Sequence, residues 1–302
     1  MKAIVVGMGV QGVKRKKSLK NDFICSVDKF KKSNFQTIQK VPLNIYDTVF
    51  VCVPDNEKFE IIKYSLKNKK NVLVEKPLIT KKKSDLIKLQ NLAKKNKLIL
   101  YTAYNHRFEP NILKLKNLID NNKLGKLYSC RIFYGNGTSK LVNKSKWRDS
   151  GLGVVTDLGS HLIDLCIFWF GKNLKKLQIL KLNNFENKSP DQALISCEIK
   201  NIKIVLEMSL CMWRNTFSCD VIGSKGSAHL NSLCKWDQND FVYRKRKIPA
   251  GKPKESKTSF KKKDPTWMRE LNFFKRLIGK KKNSNFERDF IINKEFLKLR
   301  KL

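Results

Sequence analysis

Apolar positions along the chain follow two regimes. Over residues 1–103, short continuous apolar runs alternate with amphipathic stretches. Runs at 2–7, 23–27, 48–53, 71–74 and 97–103 read as strands buried on both faces of a parallel sheet. Between them, the segments reaching Ser18, Lys69 and Asn96 show helical spacing. The segment 31–43 is short and polar, so the unit is trimmed there. Beyond Glu109 the pattern changes. A helix is expected over 110–122, then an alternating strand over 127–135. Further strand-like runs follow at 177–182, 193–199, 202–211, 216–223 and 227–230. Strands in series with short turns predict a mostly antiparallel sheet. Residues 244–263, rich in Lys, Pro and Gly, read as a loop. Helical period returns at 267–278 and at 290–299.

The fold class expected is therefore α/β followed by α+β. A doubly wound parallel sheet over 1–103 precedes a second domain over 104–302 with a large, mostly antiparallel sheet. The C-terminal tail is free to pack back on the first domain. No run is long enough to span a bilayer.

Residues 153–171 form an expected helix with chemistry on it. Asp157, His161 and Asp164 recur at spacings of four and three, which places them on one narrow face at ~100° per residue. Leu158, Leu162, Leu165 and Trp169 give the opposite, apolar face.

The first strand runs into Gly7-x-Gly9-x-x-Gly12. Gly7 permits the tight turn, Gly9 the approach of a pyrophosphate, and Gly12 close strand–helix packing. The second strand ends in Asp28, where a carboxylate takes the adenosine ribose hydroxyls. This is the Rossmann pattern for a dinucleotide. Asp28 favours NAD, because it repels a 2′-phosphate, while Lys29 beside it leaves NADP open. Loops at the carboxyl ends of later strands carry Val53, Pro54 and Asn56, then Glu75 and Lys76, then Asn105.

Composition adds exclusions. The net charge of +38 comes from 64 Lys and Arg against 26 Asp and Glu. Lys dominates and is spread through every segment, whereas a phosphate-binding face concentrates charge and favours Arg. The expectation is no nucleic-acid role and no membrane role. Eight cysteines stand singly without a CxxC pair, which reads as reduced thiols in a cytoplasmic protein with no metal site.

Taken together, Gly7 to Gly12, Val53-Pro54, Glu75-Lys76-Pro77, Asn105 to Pro110, Trp147-Arg148 and Gly153 to His161 resemble the glucose–fructose oxidoreductase / inositol dehydrogenase / rhizopine-catabolism (Gfo/Idh/MocA) family over nearly the whole chain. That resemblance implies an NAD(P)-dependent dehydrogenase acting on a secondary hydroxyl of a sugar, polyol or sugar derivative, nucleotide sugars included. It places catalysis on Lys76, Asp157 and His161. Cofactor contacts fall on Gly7, Gly9, Val10, Gln11, Gly12, Asp28, Lys29, Val53, Pro54, Asn56, Glu75, Lys76 and Asn105. Arg107, Trp147 and Arg148 join Asp157 and His161 around the substrate. A dimer or tetramer through the antiparallel sheet is implied as well. This chain has Lys58 where the family often has His. His106 and His229 are read as ordinary residues. Two other classes stay open: a non-redox glycosidase that retains NAD, and a non-catalytic binding protein on the same fold.

Overall fold

The computed structural model describes residues 1–236, 238–261, 263–280 and 286–300. It divides into two compact units, Met1–Asn105 with Trp267–Leu297, and His106–Thr266 with Lys298–Leu302.

The first unit is built on five parallel strands: β1 (Ala3–Val6), β2 (Phe23–Val27), β3 (Thr48–Val51), β4 (Asn71–Glu75) and β5 (Leu100–Ala103), in the order β2-β1-β3-β4-β5. Alternate residues of each strand enter opposite cores, as the two-residue strand period requires. Ile4, Val6, Val49, Val51, Val72 and Val74 face one layer, packed by Ile62 and Leu66 of α2 (Asp55–Lys67) and by Leu86, Leu89 and Ala93 of α3 (Lys83–Lys95). Ala3, Val5, Phe50, Leu73 and Tyr101 face the other. That second layer receives Leu19 of α1 (Val10–Leu19) and is completed from the far end of the sequence, by Leu271 and Phe274 of the C-terminal helix at Thr266–Lys280. Phe274 meets Phe50 edge-on at 5.8 Å. Between β2 and β3 there are only short 3-10 turns and one isolated bridge from Val27 to Phe35, which is the trimming foreseen there.

The second unit carries α4 (Pro110–Asp120) and eight strands: β6 (Leu127–Gly135), β7 (Leu174–Asn183), β8 (Gln192–Ile199), β9 (Ile202–Ser209), β10 (Thr216–Gly223), β11 (Gly226–Asn231), β12 (Asn239–Lys245) and β13 (Lys254–Phe260). Their order is β13-β12-β11-β10-β6-β9-β8-β7, and every pairing is antiparallel except β6 with β9. A short helix, α5 (Ser139–Asn143), follows β6.

Two expectations give way. The stretch 244–263 is not a loop throughout: β12 reaches Lys245, β13 covers Lys254–Phe260, and the two strands pair over seven residues. β13 is a sheet edge whose sequence, KESKTSF, is polar on both faces, so it lacks the alternation that marks a half-buried strand. The helix over 153–171 is not uniform either. A π-helical turn at Val155–Gly159 precedes α6 (Ser160–Phe170). The extra residue per turn breaks the ~100° spacing on which a single Asp157–His161–Asp164 face depended. Helices α7 (Thr266–Lys280) and α8 (Phe286–Leu299) end the chain. No described helix is long and apolar enough to cross a membrane.

Candidate active site

In the first unit, the polypeptide leaves β1 into the glycine turn. Gly7 holds φ +93°, and a Cβ there would stand 2.5 Å from the Cys52 carbonyl oxygen. A side chain at Gly12 would collide with the carbonyl oxygen of Gly7. Space beside Gly9 is open. Gly9 caps α1, whose first turn has no side-chain cap and no acidic residue. The leading N–H groups, around Val10 and Gln11, are thus left to an external anion.

Asp28 closes the cradle. Its Oδ2 accepts from the Met8 N–H at 2.6 Å, and its Oδ1 from the N–H groups of Phe30 and Lys31, both at 2.8 Å. Burial works to raise its pKa, but these three backbone donors outweigh it and hold the carboxyl below its ordinary value. Lys29 is exposed and pairs with Glu57 at 3.1 Å. Val53 and Pro54 are half-buried ahead of α2, and Asn56 lies exposed in its first turn. These groups fit a dinucleotide: an open, uncapped helix start for the pyrophosphate and a carboxylate already aligned for a ribose.

The Glu75-Lys76-Pro77 turn follows β4, with the Lys76–Pro77 peptide cis. Glu75 accepts from Arg15 Nε at 2.6 Å, and Arg15 Nη2 donates to Glu270 of α7 at 2.8 Å. Arg15 is fully buried, with its guanidinium 4.4 Å from the Trp267 ring centre. Burial opposes its charge, yet the carboxylates of Glu75 and Glu270 more than compensate and keep it protonated. Lys76 and Asn105 are half-buried at the carboxyl ends of β4 and β5.

In the second unit, the π turn presents Asp157 and α6 presents His161. Asp157 Oδ2 accepts from Arg148 Nη2 at 3.0 Å, and both side chains are about one-third exposed. His161 is buried, and its ring lies flat on that of His106, centroids 4.0 Å apart. Tyr134 stands edge-on to His161 at 6.2 Å and 5.5 Å from His106. Lys235 Nζ lies 2.8 Å from His106 Nε2 and 4.5 Å from the Trp236 ring centre. A lysine ammonium only donates, so His106 Nε2 accepts and the ring proton sits on Nδ1. Burial, then the charge of Asp157, pushes the Tyr134 phenol well above its ordinary value, so its hydroxyl stays protonated.

Arg107 donates through Nε to Asp164 at 2.7 Å and lies 4.9 Å from the Phe168 ring centre. It and Asp164 thus form an internal pair along α6, apart from the Asp157–Arg148 pair. Trp147 is 55% exposed, which leaves its face available to a ring. His229 bonds Asp220 and Ser227 on the β10–β11 ladder. The sequence reading left His106 as an ordinary residue and did not single out Tyr134, Lys235 or Arg15. Only His106 carried a visible signal, as one of three histidines and a neighbour of Asn105. Among the described residues no His, Cys, Asp and Glu group could hold a metal, and none of the eight cysteines is in a disulfide.

The first unit has the form of a Rossmann domain with a dinucleotide cradle, and the second that of an α+β domain built on a mostly antiparallel sheet. Residues 3–104 match the model of an oxidoreductase family with an NAD-binding Rossmann fold, and residues 112–229 match the GFO/IDH/MocA C-terminal domain. The chain belongs to the Gfo/Idh/MocA oxidoreductase family. An uncharacterized oxidoreductase of Schizosaccharomyces pombe is 35% identical over 128 residues, 41% of this chain and 34% of that protein. The myo-inositol 2-dehydrogenase of Thermotoga maritima is 30% identical over 131 residues, 43% of this chain and 38% of that protein. These matches span only 34% and 38% of the relatives' own lengths. Among solved structures, the UDP-N-acetylglucosamine 3-dehydrogenase of Acidithiobacillus ferrooxidans superposes with TM-score 0.82 at 14% identity, covering 99% of this chain and 96% of that one. At that identity the likeness concerns the fold alone.

Proposed function

We propose that this chain is an NAD-dependent dehydrogenase that oxidises a secondary hydroxyl of a sugar, polyol or nucleotide sugar to the ketone. The observation that carries the reading is His161: a buried imidazole fixed by a stacked ring, one helical turn from a partly exposed carboxylate. Family membership and the likeness to a myo-inositol 2-dehydrogenase support it.

Bound NAD supplies the hydride acceptor. Gly9, Val10 and Gln11 hold its pyrophosphate, and Asp28 its adenosine ribose. Val53, Pro54, Asn56 and Asn105 line the remainder. His161 accepts the hydroxyl proton, a task suited to an imidazole near neutral pH. The Lys76 ammonium stabilises the developing alkoxide. Asp157, paired with Arg148, orients the substrate by accepting from a neighbouring hydroxyl. Trp147 offers its exposed face to the ring. Arg107 contributes indirectly, by bracing α6 through Asp164.

We take the enzyme to be cytoplasmic, in keeping with cysteines that stand singly along the sequence without a CxxC pair. We also take it to be a homo-oligomer through the eight-stranded sheet, where Leu194 and Val205 lie half-buried on one face. The test is NADH formation from myo-inositol, scyllo-inositol, glucose, UDP-glucose and UDP-N-acetylglucosamine. Turnover of at least one is expected. Failure with all five, in enzyme shown to bind NAD, overturns the reading.

A further inference from the structure

Lys58 lies on α2 with its side chain 3% exposed. Its ammonium has three N–H donors, and three acceptors surround it: Asp55 Oδ1 at 2.6 Å, the Glu75 carbonyl at 2.7 Å and the Pro77 carbonyl at 2.7 Å. The two carbonyls flank Lys76. One side chain from a different element thus grips the main chain on both sides of Lys76. The Glu75 carboxylate is meanwhile held by Arg15. Burying an ammonium is costly unless it is fully hydrogen-bonded. Packing α2 against the sheet needs only an apolar residue, as Ile62 and Leu66 show on the same helix. The charge is therefore explained by the turn it holds.

We infer that Lys58 is a positioning residue: it fixes the turn so that the Lys76 amine is presented in one place. This rests on the role given to Lys76 above. Lys58 touches neither substrate nor cofactor in this scheme and acts only through the main chain at residues 75 and 77. Removing the ammonium leaves both carbonyls free to rotate, and Lys76 moves with them.

Two measurements on the full chain test this. The first is amide hydrogen exchange with NAD at saturation. Lys58→Met is expected to speed exchange at residues 75–78 by roughly tenfold or more while β1 and β3 stay protected, the pattern of a local rather than global opening. Unchanged exchange at 75–78 overturns the inference. The second is a double-mutant cycle, with the sugar or polyol of the panel above that gives the highest kcat/KM. Lys58→Met is expected to lower kcat by about 10–100-fold, the scale of a misplacement near 1 Å, with NAD affinity and KM changed by less than about threefold. In a Lys76→Met background the same substitution should cost nothing further, because its effect passes through Lys76. Multiplying losses would show a general structural role and overturn the inference. If Lys58→Met does not fold, Lys58→Gln, which keeps two N–H donors, carries the same cycle. Full activity of Lys76→Met refutes the parent reading instead. A crippled Lys76→Met beside a fully active Lys58 variant refutes this inference alone.

Discussion

His106 lies flat against His161, with ring planes 16° apart and centroids 4.0 Å apart. The pairing restricts His161 to one orientation on α6, and Lys235 fixes the His106 tautomer from the far edge. A general base works only when its lone pair is aimed at the proton it takes. In the proposed role as general base, His161 is thus held in one orientation by the stack.

His106→Leu keeps the volume but removes the acceptor for Lys235. It should cost about 0.5–1.5 kcal/mol in stability, the usual net worth of one intramolecular hydrogen bond. Urea unfolding measures this, and kcat should fall with KM little changed. A variant as stable and as active as the parent would show that the stack is only packing.

Asp28 ties the glycine turn to the loop after β2, through Met8 on one oxygen and Phe30 and Lys31 on the other, and is the residue proposed to hold the ribose. Asp28→Ala should weaken NAD binding and narrow the gap to NADP. Titration of both cofactors by protein fluorescence checks it. Tighter NADP than NAD binding in the parent would mean that Lys29, despite its pair with Glu57, decides the preference.

The same carboxyl predicts an acid effect. Its folded pKa lies below the unfolded value near 3.9. Its contribution to stability is thus complete above that unfolded value and is lost as pH falls through the lower folded one. Asp28→Asn should therefore flatten the decline of stability below about pH 4. Urea midpoints from pH 3 to pH 7 measure it, and parallel curves for parent and variant would contradict it.

What the sequence disclosed was local. The Gly7–Gly12 turn, the Glu75-Lys76-Pro77 turn and the Asp157–His161 spacing each lie within a few residues, where chemistry and geometry share one stretch of chain. The parallel and antiparallel sheets were legible because continuous and alternating apolar runs have different periods. Long-range partners were not. Lys235 is 129 positions from His106, and Glu270 is 255 from Arg15, so nothing in either neighbourhood announces the other. The closing of the second Rossmann layer by Leu271 and Phe274 is of the same kind. The π turn at Val155–Gly159 was hidden because Asp157, His161 and Asp164 also satisfy a regular helical period. The β12–β13 hairpin was hidden because an edge strand rich in Lys has no apolar side to reveal it.

The most direct test of the account is the kcat of His161→Ala on the best substrate of the panel, measured beside its NAD affinity. Loss of a positioned general base lowers kcat by about 10²–10⁴. That fall is expected here, with NAD affinity essentially unchanged, because the residues proposed to hold the cofactor all belong to the first unit. A His161→Ala enzyme with near-parental kcat would contradict the account, and would leave this histidine as a packed residue of α6.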